Sequence, residues 1–129
     1  MTAPGNAEQA AQIAARLLRR SLPGASSAVR VECERAARVA CGIWRRWHVG
    51  PWQWKRKHVR WYLEYRTQKY SAWTRYRYWL TVERVLRATG KFKDWRPGLN
   101  GPWSTPLNPE QNWQAVREQR STWVRRISR

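Results

Sequence analysis

Apolar residues recur at three- and four-residue spacing along most of the chain, and no segment reads as a strand, so the pattern predicts helices. Ala10, Ile13, Ala14, Leu17 and Leu18 form the first stripe, with Asn6 as cap, Glu8 and Gln9 in the opening turn, and Leu22-Pro23-Gly24 as the stop. Ser26 or Ser27 opens a second helix. Its stripe of Val29, Cys33, Ala36, Ala40, Ile43 and Trp47 is small at the start, which permits close helix approach, and bulky near Val49-Gly50-Pro51, where it ends. A third helix is expected over about 52–69. Ser71 caps a fourth, in which Trp73, Tyr76, Trp79, Leu80, Val82 and Leu86 share one face and Gly90 is the C-terminal cap. Pro and Gly punctuate the chain from Lys91 to Pro109, where Trp95, Leu99, Trp103 and Leu107 are the apolar pegs available to pin the loop to the rest. Asn108-Pro109-Glu110-Gln111 then starts a fifth helix carrying Trp113, Val116, Arg120, Trp123, Val124 and Ile127, with Arg125, Arg126 and Arg129 at its end. The expected architecture is all-α: one domain over residues 1–129, a bundle of about five helices with a Pro/Gly-rich loop before the last.

Charge changes this picture from a bland bundle to a surface with a purpose. The 129 residues carry 26 Lys and Arg against 8 Asp and Glu, a formal net charge of +18, and 11 Trp. From Trp44 to Arg96, about two fifths of the chain, fifteen Lys and Arg face only Glu64, Glu83 and Asp94, and eight of the Trp are interleaved among them. Arg predominates over Lys, and its planar fork pairs phosphate oxygens bidentately and stacks on rings. A polyanion is the expected partner, RNA or DNA, and its binding would relieve the self-repulsion of the free protein.

Position refines that expectation. Lys55, Arg56, Lys57 and Arg60 fall in the first turns of the third helix, the end where the helix dipole favours acids. A rule broken so plainly points to a functional surface. On the fourth helix Arg77, Arg84 and Lys91 recur every seven residues and so make a row, with Arg87 beside it. Together with Arg45 and Arg46, which lie off the stripe of the second helix, these are the expected phosphate contacts. Trp52, Trp54 and Trp61 sit among the same cations on a helix whose turns have no room to bury all three. An exposed ring there stacks on a base or anchors a protein partner.

Catalytic chemistry is thin on the ground. The only Asp is Asp94, the Glu are scattered, and His48 and His58 fit no metal-finger spacing with Cys41. No Gly-rich phosphate loop with Lys-Ser/Thr occurs. Cys33 and Cys41, eight residues apart on one helix, are separated by about 12 Å of rise, too far for a disulfide. They are expected as small buried hydrophobes. No enzyme, metal or cofactor is expected. The opening residues lack the basic-then-apolar order of a signal peptide, and no window approaches a membrane span, which predicts a cytoplasmic protein without membrane contact.

Two resemblances follow from these residues. Ser71, Thr74 and Tyr78 match the Ser-x-x-Thr-x-x-x-Tyr helix start of the core-binding domains of tyrosine recombinases and integron integrases, over roughly thirty-five residues and without the catalytic half. By whole-chain profile (short, strongly basic, all-helical and without catalytic residues) the protein resembles the small subunit of multi-subunit CRISPR effector complexes, the plasmid-associated type IV systems among them. That resemblance implies several copies lined along the backbone subunits and guide RNA, touching nucleic acid through basic helices. The expected function is therefore non-catalytic, largely sequence-independent nucleic-acid binding as a small subunit of a ribonucleoprotein. The alternatives are a DNA-binding module or accessory factor of a mobile-element recombinase, and a Trp-rich protein that binds or inhibits a protein partner.

Overall fold

The cap at Asn6 forms as its sequence requires: Asn6 Oδ1 accepts the Gln9 N–H at 2.8 Å, and Gln9 Oε1 in turn accepts the Gly5 N–H at 2.7 Å. The first bond satisfies one of the backbone donors that a helix start leaves unpaired, and the second ties the residue before the cap to the first turn. The computed structural model describes residues 3–24 and 26–104, and the expected fifth helix, with Leu107, Trp113 and Trp123, lies outside them. Helix α1 (Ala7–Ser21) packs along α2 (Ser27–Trp47), which Ser26 opens by accepting the Val29 N–H. Ala10 and Ala14 on α1, and Ala36 and Ala40 on α2, are wholly buried, so the small residues do lie on core faces. Helix α2 stops at His48, whose φ of 57° takes the left-handed conformation that His tolerates better than most non-Gly residues. Its ring meets Trp44 edge-on at 4.6 Å between centroids.

The segment expected as one helix over about 52–69 is broken into pieces. Pro51–Gln53 make a single 3₁₀ turn, Trp54 leaves the helical region with ψ 140°, α3 runs over Arg56–Trp61, and Tyr62–Arg66 continue as a π-helical turn. Lys55 has no side-chain oxygen with which to cap α3, so the cap comes from within: the Lys55 N–H donates to His58 Nδ1 at 3.0 Å. Gly42 sets how closely the π turn approaches α2, since a Cβ there would stand 2.8 Å from the Tyr62 ring. The irregular turn also frees backbone carbonyls, and Arg75 collects them. Its guanidinium donates to Leu63 O at 3.0 Å, Glu64 O at 2.9 Å and Thr67 Oγ1 at 2.9 Å, while Thr67 Oγ1 itself donates to Leu63 O. Arg75 thus locks a shape that helix propensity alone would not choose.

Ser71 caps α4 (Ala72–Ala88), and Gly90, at φ 76°, ends it. The closing bonds, Lys91 N–H to Leu86 O at 2.8 Å and Gly90 N–H to Arg87 O at 3.2 Å, are those of a Schellman motif. The core face of α4 is rotated from the expected stripe. Tyr78, Trp79, Thr81, Val82, Val85 and Leu86 are buried, Tyr76 and Leu80 are partly covered, and Trp73 sits outside the core cluster under Arg77. The next residues, expected to be irregular, form a short α5 (Phe92–Trp95) and a 3₁₀ turn over Arg96–Leu99. Leu99 and Trp103 are pegs indeed, 0% and 2% exposed, and Trp95 is partly covered. The Trp103 indole N–H donates to Leu99 O at 2.8 Å, and its ring lies 5.6 Å from the Arg60 guanidinium and 5.2 Å from that of Arg75. The protein is an all-α bundle: α1, α2 and α4 enclose the core, and α3 with the 92–103 segment covers one end.

Candidate nucleic-acid interface

Cations in this fold divide by what holds them. Glu32, on α2, faces α4 and is the hub of one group: it accepts from Thr81 Oγ1 at 2.7 Å, from Arg84 at 2.8 Å and from Arg35 at 2.9 Å. Burial by itself would raise the Glu32 carboxyl, but the hydrogen bonds from Thr81 and Arg84 and the charges of Arg84 and Arg35 outweigh it and hold its pKa below the usual carboxylate range. Arg35 is buried for this reason. Arg87 pairs with Glu83 at 3.4 Å and lies over the Phe92 ring at 4.3 Å. Arg60 pairs with Glu64 at 3.7 Å and donates to Gly98 O at 2.9 Å, which fastens the 96–103 segment to α3.

Lys91 does not continue a row with Arg77 and Arg84. Helix α4 ends at Ala88 and the left-handed Gly90 turns the chain, so the Lys91 ammonium enters the space under Pro51–Trp54. There it donates to Trp52 O at 2.8 Å, Trp54 O at 3.1 Å and Pro51 O at 3.4 Å, with the Trp95 ring 5.2 Å away. Burial holds its pKa below the ordinary lysine value. Arg77 and Arg84 line a separate apolar cavity of about 380 Å³ beside Leu22, Val29, Val31 and Glu32 at the start of α2.

Six of the expected phosphate contacts remain exposed and have no ion-pair partner among the described residues: Arg45, Arg46, Lys55, Arg56, Lys57 and Arg77. Arg77 stands apart on α4, over the Trp73 ring, and the fold brings the other five to one end. Arg46 stacks over Trp47 at 4.8 Å, and Trp47 meets His58 at 4.8 Å and Trp61 at 4.9 Å, so the last turn of α2 lies beside α3. Arg56 lies against Gly98, where a Cβ would come within 2.6 Å of its guanidinium, and the Arg96–Leu99 turn packs on α3. That contact adds exposed Arg96, and the adjoining α5 adds exposed Lys93. Neither stood out in the sequence, because a loop offers no helical spacing from which to read a face.

His58 registers the resulting field. Burial first, then the charges of Lys57, Lys55 and Lys91, push its pKa below the normal imidazole value. A neutral ring is what the cap needs, since Nδ1 must be unprotonated to accept the Lys55 N–H.

The three tryptophans fare differently. Trp54 is 2% exposed and belongs to the core, contrary to its expected role as an exposed stacking ring. The break at Trp54 turns its side chain inward, and its indole N–H has no acceptor among the described residues. Trp52 and Trp61 are half-buried, with Trp61 edge-on to Trp47.

Ser71 and Thr74 of the recombinase-like start form an N-cap, the Thr74 N–H donating to Ser71 Oγ at 3.2 Å. Tyr78 is buried, stacked on Tyr70 at 5.2 Å. Both cysteines are free, Cys33 buried and Cys41 partly so. Among the described residues no three His, Cys, Asp or Glu side chains converge to hold a metal ion, and no helix is long and apolar enough to cross a membrane. Compared with protein families, curated proteins and solved structures, the chain matches none.

Proposed function

We propose that this protein is a non-catalytic, largely sequence-independent binder of RNA or DNA backbone, acting as a small subunit of a larger ribonucleoprotein of the CRISPR effector kind. The observation that carries the reading is the cluster of Arg45, Arg46, Lys55, Arg56 and Lys57 at one end of the bundle, exposed and without carboxylate partners among the described residues, while other cations are engaged inside the fold. Free guanidinium and ammonium groups crowded on one surface favour a polyanion by counterion release, and they carry no base-reading geometry. The partly covered rings of Trp52 and Trp61 border this end and suit contact with a companion subunit.

Fluorescence anisotropy with labelled RNA and DNA of scrambled sequences tests it. Five phosphate contacts give a log–log salt slope of about −4.5, so affinity falls roughly 500-fold between 50 and 200 mM salt. Substituting Arg56 or Lys57 by Ala is expected to weaken all sequences alike and reduce the slope by about one. A flat salt response, or a strong preference for one sequence, would sink the reading.

A further inference from the structure

Beside the π-helical turn lies a hollow of about 420 Å³ lined by Tyr62, Tyr65, Arg66, Gln68, Lys69 and Tyr70. We infer that this hollow is a single-strand site, in which an unpaired nucleobase stacks on Tyr65 while Arg66 and Lys69 hold the flanking phosphates. The inference rests on the nucleic-acid reading above and adds the form of the ligand.

Three observations coincide there. Tyr65 is 60% exposed, and Val31 is the one other large apolar side chain so exposed among the described residues. A lone exposed tyrosine is ordinary, but this one stands with two exposed cations, Arg66 and Lys69, that have no ion-pair partner among the described residues, and no carboxylate lines the hollow. The nearest acid in the chain, Glu64, is turned to Arg60.

The platform is also rigid. Arg75 holds the Leu63 and Glu64 carbonyls, and the Tyr70 ring lies nearly parallel to Tyr78, at 12°. A backbone fixed in advance leaves only the Tyr65 side chain to be ordered on binding.

The site connects to the basic end. Lys57, Trp61 and Tyr65 recur every four residues along α3 and the π turn, so a strand leaving Lys57 reaches Tyr65 along one helical face after about 12 Å. Bases in a duplex are already stacked on one another and have no free face to offer, whereas every base of a single strand does. An exposed ring between cations therefore discriminates by strandedness and not by sequence.

The test compares a short oligothymidine with a duplex of equal length, using the full chain and the variants Tyr65→Ala and Tyr65→Phe, with melting followed by circular dichroism. Tyr65→Ala is expected to weaken the single strand by about tenfold or more while leaving duplex affinity and melting unchanged, and Tyr65→Phe to retain single-strand binding. A 2-aminopurine base in the strand should be quenched by the unmodified protein and not by Tyr65→Ala. Equal loss on both ligands, or no loss on either, overturns the stacking site. If the unmodified protein instead binds neither ligand in a salt-dependent way, the nucleic-acid reading itself fails.

Discussion

Replacing Glu32 by Gln removes one charge from the centre of the α2–α4 contact while keeping the shape. Glu32 accepts from Thr81, Arg84 and Arg35, and the amide that replaces it retains one oxygen for three donors. The largest loss falls on Arg35, whose side chain is only 10% exposed and would be left buried without a counter-charge. Breaking a buried pair in this way costs about 3–5 kcal/mol. Arg84, 38% exposed, is screened by solvent and adds little. A total near 3 kcal/mol is a large share of the ~5–15 kcal/mol that holds a domain together, and it corresponds to a melting temperature lower by roughly 10–20 °C in circular dichroism. The penalty should shrink in acid. Because the folded carboxyl has a lowered pKa, its contribution is complete above the ordinary carboxylate range and is lost as pH falls through the folded value. Adding Arg35→Met should recover part of the loss, since the orphaned charge goes with it. A melting temperature within two or three degrees of the parent, or no recovery in the double variant, would refute the hub.

Other perturbations separate the structural from the exposed groups. Trp54→Ala empties a core position and is expected to cost about 3–5 kcal/mol in denaturant unfolding, whereas Trp52→Ala, at a half-buried ring, costs clearly less. Lys91→Met takes the ammonium from the Trp52 and Trp54 carbonyls under the 3₁₀ turn, Pro51 O keeping the Trp54 N–H, and should lower stability by about 1–3 kcal/mol with less change in the salt slope of binding than Lys57→Ala produces. The folded pKa of His58 is depressed, so its contribution is complete above the ordinary imidazole value, about 6.5, and is lost as pH falls from there through the folded value. Melting temperature measured from pH 7.5 to 5 should therefore drop more steeply for the parent than for His58→Gln.

Helix existence was legible because it depends on local chemistry. Asn6, Ser26, Ser71 and Gly90 each do in the fold what their side chains, or the lack of one, dictate anywhere. The buried alanines of α1 and α2 followed from spacing alone. What periodicity missed was long-range. Nothing within 52–69 reports that Arg75 will collect the Leu63 and Glu64 carbonyls, or that Gly42, twenty residues before Tyr62, leaves room for its ring; without those partners a continuous helix is the reasonable reading. The same applies to the cations. Glu32 lies far in sequence from Thr81 and Arg84, so the neutralisation of Arg84 was invisible, and Lys91 joined the row by its seven-residue spacing although the Gly90 cap turns the chain before it. Tyr65 escaped notice because the hollow beside it exists only once the turn is π-helical.

The division of the charges explains how a chain of +18 sustains a folded core. Arginines that would repel one another are spent inside the fold on carbonyls and on the few acids: Arg75 on the π turn, Arg60 on the 96–103 segment, Arg35 and Arg84 on Glu32. Of the cations left over, Lys55, Arg56 and Lys57 sit where the helix dipole opposes them, at the start of α3, each at a cost of about 0.3–1 kcal/mol. A neutral His58 capping that start tolerates the crowding and does not relieve it. A polyanion bound there, as proposed, would relieve it and add stability by mass action, about 2.7 kcal/mol at a ligand concentration one hundred times Kd. Stability and binding thus read out on different residues of one charge type: substitutions at Arg75 or Arg84 act on the fold, and substitutions at Arg56 or Lys57 act on whatever the fold presents them to.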